Sequence, residues 1–306
     1  VICLELKIKI MTSTSTSSPS SRWLDVCITA LAPASWGSTY IVTTELLPPG
    51  RPFTAALLRA LPAGLLLVLW ARRWPVPGGW GRMALLAALN IGVFQALLFV
   101  AAYRLPGGLA AVVGAIGPLV VMGLAWAVDQ RRPPGVALGA GVLAVAGMAL
   151  LLLAPGTVWD AWGVAAALAG TVCMAMGTFL SRRWQSGLPV LAFTGWQLLL
   201  GGLMLAPVAW WADPPLPALT ATQAAGYVYL CLAGALVAYV LWFRGIERLP
   251  TVAVASLGLL SPLTAVVLGW ALLGQSMRGV SLLGMATVLG CVLAVQWAMA
   301  QRSAGR

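Results

Sequence analysis

Long apolar runs separated by short polar or Pro/Gly-rich gaps set the pattern of this chain. Ten such runs lie near residues 24–46, 53–71, 81–103, 107–128, 134–154, 160–181, 189–211, 221–244, 250–273 and 279–300. Each approaches the roughly 20 residues that a helix, rising about 1.5 Å per residue, needs to cross a hydrocarbon layer about 30 Å thick. The gaps carry Pro48-Pro49-Gly50, Pro75 to Gly79 and Asp213-Pro214-Pro215, and none is long enough for a soluble domain. The pattern therefore predicts an all-α integral membrane protein with ten transmembrane helices.

The runs repeat. Arg104-Leu105-Pro106 recurs as Arg248-Leu249-Pro250, an offset of 144. At that offset Gly114 meets Gly258, Pro118-Leu119 meets Pro262-Leu263, Trp126-Ala127 meets Trp270-Ala271, and Gly135-Val136 meets Gly279-Val280. Further upstream, an offset of 140 pairs Gly37 with Gly177, Pro49 with Pro189, and Phe53-Thr54 with Phe193-Thr194. Two five-helix halves are expected, over 23–155 and 156–300, between a Ser/Thr-rich tail at 1–22 and a short tail at 301–306. Residues 1–10 precede Met11, which looks like a natural start. Five helices are an odd number, so the second half enters the bilayer inverted. Inverted repeats suit alternating access around a midplane site.

Charge fixes an expected orientation. Only 8 % of residues are charged, against 61 % hydrophobic, while the formal net charge is +11. With the N-terminus inside, 14 Lys and Arg fall in inner segments and only Arg51, Arg104 and Arg278 in outer ones. The bias follows the positive-inside rule and places both termini in the cytoplasm. Basic residues confined to gaps between apolar runs argue against nucleic-acid binding. Cys3, Cys27, Cys173, Cys231 and Cys291 show no CxxC spacing, so neither a disulfide framework nor a metal site is expected.

Candidate chemistry lies inside the runs. Pro118 and Pro262 fall mid-helix and remove hydrogen bonds to the carbonyls of Gly114 and Gly258, which predicts kinks acting as bending points. The alternative is a packing kink. Gln95, Phe99 and Tyr103 follow at i, i+4 and i+8 on one helix face, and the repeat maps Gln95 to Tyr239 and Phe99 to Phe243. Trp36 and Tyr40, flanked by Ser35, Ser38 and Thr39, form a similar face, and Asn90 and Gln197 add amides. These residues are candidates for a substrate cavity, with packing or an interfacial aromatic belt as the alternative. Tyr103 and Trp242, near span ends, read as belt, with Trp242 turned away from Phe243. Arg59 is the one basic residue well inside a span and is expected to have a structural role, snorkelling or bonding backbone carbonyls.

Ten helices in two inverted halves, with Trp36-Gly37, Arg59, Thr194 to Gln197, and the Pro118 and Pro262 helices in order, resemble the EamA-type branch of the drug/metabolite transporter superfamily. Within that branch the chain is most similar to the YddG-type amino-acid exporters. The resemblance implies a bacterial inner membrane and amino acids or related metabolites as substrates, with no cofactor.

Absences narrow the mechanism. No Asp or Glu lies in the middle third of a span and the chain has no His, which argues against a proton-for-cation antiporter. Sugar phosphates would want a midplane cluster of Lys or Arg. A neutral or zwitterionic solute remains, exported downhill, with a sugar or other neutral metabolite as the rival cargo. An enzyme is not expected, because no nucleophile–base pair is legible. The expected partners are a small-molecule substrate and the lipid bilayer, with the chain a monomer or weak dimer.

Overall fold

The structure, a computed structural model, describes residues 19–105, 113–130, 132–152, 160–184, 186–274 and 279–304. These residues are helical or in connecting turns, with no strand among them. In chain order the helices are α1 (Pro19–Leu46), α2 (Pro52–Ala71), α3 (Trp80–Ala87, continued as Val93–Arg104), α4 (Gly117–Asp129) and α5 (Gly135–Leu152). There follow α6 (Ala161–Arg183), α7 (Val190–Ala212), α8 (Ala221–Cys231, continued as Ala238–Arg248), α9 (Thr251–Leu257 and Leu260–Leu273) and α10 (Gly279–Ala304). Among the described residues eight helices, α2, α3 and α5 to α10, are long and apolar enough to cross a membrane, and α4 is a shorter apolar helix.

Two of these helices widen at matching places. In α3 a π-turn occupies Ala88–Gly92, and in α8 another occupies Leu232–Val237. Their first residues stand 144 apart, the offset at which Arg104-Leu105-Pro106 recurs. The same register links the ends of α4 and α9, where Gln130 (φ 53°) and Gly274 (φ 65°) both close the helix in the left-handed conformation. Such caps satisfy late helix carbonyls and favour glycine. Gln130 adopts the same turn with a side chain, and its Nε2 bonds back to the Ala127 carbonyl at 3.0 Å.

Small residues decide how closely the helices pack. α2 and α7 cross antiparallel through Gly64, Gly195 and Gly202. A β-carbon on Gly64 would stand 2.7 Å from the Leu198 carbonyl carbon, and one on Gly202 would stand 2.9 Å from Leu61 Cα. In α5 and α10, Gly147 and Gly284 allow a second close antiparallel contact, against Thr287 and Leu151 respectively. Gly135, Gly139, Gly279 and Gly290 face open space instead, so only part of the glycine content of α5 and α10 serves their contact. The rest of the packing interleaves the halves: α1 lies on α8 and α9, while α6 lies on α3 and α4. Ion pairs cross both contacts. Asp25 of α1 accepts from Arg244 at 2.6 Å and lies 3.6 Å from Arg248, and Asp160, which caps α6, lies 3.8 Å from Arg104.

The two proline helices depart from the kinked continuous form expected of them. α9 breaks at Gly258 and Leu259, and the Gly258 carbonyl is taken by the Ser261 N–H at 3.2 Å. On the other side Ala115 and Ile116 form a turn after Gly114, so Pro118 sits in the first turn of α4 rather than in mid-helix. A proline is well tolerated there, because its missing N–H would have no intrahelical partner. The freed Gly258 carbonyl is therefore satisfied by a tighter i to i+3 turn and is not offered to a ligand.

Candidate functional site

The polar residues of the apolar spans converge where α1, α2, α3, α7 and α8 meet. Gln95 of α3 donates from Nε2 to the Tyr239 hydroxyl of α8 at 3.0 Å. Both are almost fully buried, at 3 % and 2 % exposure. Asn90, inside the α3 π-turn, donates from Nδ2 to Gln197 Oε1 of α7 at 2.7 Å and to Ser181 Oγ of α6 at 3.2 Å. Gly177 makes room for it, since a β-carbon there would stand 2.7 Å from Asn90 Cγ.

Aromatic rings wall this polar centre. The Trp36 ring lies 5.0 Å from Tyr239 and 5.1 Å from Trp242, Tyr239 stacks on Phe243 at 6.0 Å, and Phe193 meets Phe243 edge-on at 5.3 Å. These are favourable aromatic separations. The α8 π-turn ties the wall to the charge: the Gly234 carbonyl accepts from Trp36 Nε1 at 3.1 Å and from Arg59 Nη2 at 3.0 Å. A π-turn inserts a residue into the helical ladder and re-aims neighbouring carbonyls, and such turns recur at functional sites.

The expected candidates thus gather in two linked groups, Trp36, Gln95, Tyr239, Phe243 and Arg59 on one side and Asn90 with Gln197 on the other. The side chains of Tyr40, Phe99 and Tyr103 lie outside the described residues. Trp242 corrects the expectation of an interfacial belt. It stands at i+3 from Tyr239, is buried, and packs on Trp36. Of the two courses expected for Arg59, it takes the bond to a backbone carbonyl: it is 7 % exposed and its guanidinium turns inward to the Gly234 carbonyl instead of snorkelling. Phe193, Ser181 and both π-turns were missed. A repeat match at Phe53 and Phe193 marks the first; nothing in hydropathy marks the others.

Several polar atoms here have no hydrogen-bond partner among the described residues: Gln95 Oε1, Asn90 Oδ1, Gln197 Nε2, Trp242 Nε1 and Thr39 Oγ1. Each such atom, buried, costs about 1–3 kcal/mol. All five belong to helices that meet at this centre. A cavity of about 90 Å³ lies elsewhere, lined by Val76, Arg82, Met83, Trp184 and Leu188, and no expected site residue borders it. Among the described residues no three His, Cys, Asp or Glu side chains come together to hold a metal ion.

Comparison with known proteins converges on one family. The EamA-like transporter family matches twice, over residues 23–153 and 161–296. Protein PecM of Dickeya dadantii (strain 3937) is 42 % identical over 267 residues, 87 % of this chain and 90 % of that protein. The WAT1-related protein At3g02690, chloroplastic, of Arabidopsis thaliana is 30 % identical over 280 residues, 86 % of this chain and 67 % of that one. An uncharacterized inner membrane transporter, YedA of Escherichia coli (strain K12), is 27 % identical over 271 residues, with 85 % and 86 % covered. None of these names states a cargo. One solved crystal structure shares the fold with a TM-score of 0.76 at 18 % identity, covering 93 % of this chain and 99 % of that one. The chain belongs to the EamA-like transporter family and is a multi-pass membrane transporter.

Proposed function

We propose that this transporter exports amino acids, large or hydrophobic ones included, by alternating access between two inverted five-helix halves, α1 to α5 and α6 to α10. In this reading α1 and α4 complete ten spans, both termini are cytoplasmic, and the membrane is a bacterial inner membrane. The chain works as a monomer or weak dimer.

The observation that carries the reading is the bond between Gln95 and Tyr239. These residues are counterparts at the 144 offset, and counterparts of two pseudo-symmetric copies touch only where their axis passes between them. That supports a hydrogen-bonding, aromatic-walled centre between the two halves, the position alternating access requires of a substrate site. Amide and hydroxyl groups beside aromatic faces suit the body and polar end of an amino acid. Trp36, Asn90, Gln95, Gln197, Tyr239 and Phe243 are the proposed lining, with Tyr40 and Phe99 added from the sequence. The turns beside Gly114 and Gly258, just ahead of Pro118 and Pro262, are the proposed bending points. With no His in the chain and no acid in the middle of a span, export runs downhill without a side-chain proton relay.

Bacterial cells loaded with a dipeptide accumulate its amino acids, and those overproducing this chain should release the excess faster than control cells. Equal release would contradict amino-acid export. Faster release of a loaded sugar instead would favour the neutral-metabolite alternative, which the same amide and aromatic groups could serve.

A further inference from the structure

We infer that Arg59, Thr39 and the Gly234 π-turn form a carboxylate cradle, so that the cargo must carry a carboxylate group. This rests on the transporter reading above and names the part of the solute that the centre recognises.

Gly234 is the fourteenth of the 28 residues of α8, so its carbonyl lies at the middle of that helix. Arg59 reaches this level from α2 and is anchored there by the 3.0 Å bond from Nη2. A guanidinium at mid-span is costly and marks function by default. Its inward course, away from either helix end, removes the snorkelling explanation.

The space beside it is small and bounded. A β-carbon built on Gly234 would stand 3.8 Å from Arg59 Nε, 4.0 Å from Thr39 Oγ1 and 3.8 Å from Leu230 Cδ2. Those are ordinary contact distances, so a positive and a hydroxyl group face one gap that a methyl group would fill. Thr39 Oγ1 is buried without a hydrogen-bond partner among the described residues. A planar guanidinium beside a hydroxyl donor complements a carboxylate, which accepts from both.

The rest of the solute has a matching place. The Gly234 carbonyl that anchors Arg59 also holds Trp36 Nε1, and Trp36 leads directly to Tyr239 and Trp242. An apolar side chain can lie along these rings. Gln95 Oε1, buried and without a partner among the described residues, is an acceptor for an ammonium group. An α-amino acid carries its carboxylate and its ammonium on one carbon. The cradle and Gln95 Oε1, joined through Trp36 and Tyr239, would hold that charged end while the side chain lies along the rings. A sugar has no group for the cradle.

The test compares one solute with its own derivatives. The full chain in liposomes loaded with labelled phenylalanine is given outside phenylalanine, its primary amide or its decarboxylated amine. The acid should drive exchange at least about tenfold better than either derivative. Gly234→Ala should lower acid exchange about tenfold with little change in thermal stability, and Arg59→Gln should erase the preference for the acid. Equal exchange of acid and amide, or a preference that survives Arg59→Gln, overturns the cradle. If no phenylalanine derivative exchanges, the amino-acid reading fails separately, and the matching hydroxy and keto acids are compared with their amides. Preference for those acids supports the cradle without amino acids, and its absence overturns the cradle too.

Discussion

Tyr239 shows how much one hydroxyl does in this protein. It accepts from Gln95 across the junction of the halves, while its ring holds Trp36 on one side and Phe243 on the other. Tyr239→Phe keeps the ring and strips Gln95 Nε2 of its partner, beside an Oε1 that has none among the described residues. Stability should fall by about 1–2 kcal/mol, read as a lower melting temperature in detergent. Exchange should fall by about tenfold if the pair also receives the cargo. An unchanged melting temperature would mean that water replaces the hydroxyl at no cost. At this scale the sequence was partly legible. Helical spacing and the repeat pointed to Gln95, Tyr239, Phe243 and Trp36, because periodicity reports which side chains share a face. It could not report depth of burial, and so Trp242 was read as belt, while for Arg59 snorkelling and a bond to a backbone carbonyl stayed equally open. Both depend on what the opposite helix presents, here Trp36 and the Gly234 carbonyl.

Helices in a membrane gain little from apolar burial against one another, since lipid offers the same surface, and so close backbone contact carries more of the association. The α2–α7 crossing fits this account, with Gly64, Gly195 and Gly202 pressed against backbone atoms of the facing helix. Gly64→Leu should force the pair apart and destabilise the fold by about 3 kcal/mol, seen as aggregation or loss of the monodisperse peak on gel filtration. Gly139→Ala, by contrast, meets nothing within 4 Å. It should be neutral or stabilise by up to about 1 kcal/mol, through the higher helix propensity of alanine. A reversed order would contradict the contact assignment. The elements themselves were largely legible, since each described helix occupies one of the long apolar runs. The interruptions were not. A π-turn changes the ladder by one residue without changing hydropathy, and neither Ala88–Gly92 nor Leu232–Val237 contains a proline to betray it. The prolines that are visible, Pro118 and Pro262, mark turns placed just ahead of them rather than bends at them.

At the level of the whole molecule, the halves interleave more than a picture of two stacked domains suggests. α1 belongs to the first half yet packs on α8 and α9, and α6 returns the exchange on α3 and α4. The ion pairs Asp25–Arg244 and Asp160–Arg104 fasten these exchanged contacts at their ends. In the alternating-access reading proposed above, motion between the halves would proceed around the Gln95–Tyr239 junction, with each exchanged group of helices moving as a unit. The chain has no His, and its acids sit at helix ends or in gaps. Exchange of a zwitterionic amino acid should accordingly change by less than about twofold between roughly pH 6 and pH 8. A steep dependence in that interval would point to a proton-coupled step. The repeat at 144 foretold the matching π-turns and caps only as a register. The exchange of helices between halves leaves no trace in sequence, because it depends on which apolar surfaces meet.

The central claim is tested most directly by counterflow in proteoliposomes with the proton gradient collapsed, using matched panels of amino acids, sugars and quaternary amines. Amino acids alone should exchange, and substitution of Gln95 or Tyr239 should slow them. Exchange confined to sugars or quaternary amines, or exchange that stops when the gradient is removed, would contradict downhill amino-acid export.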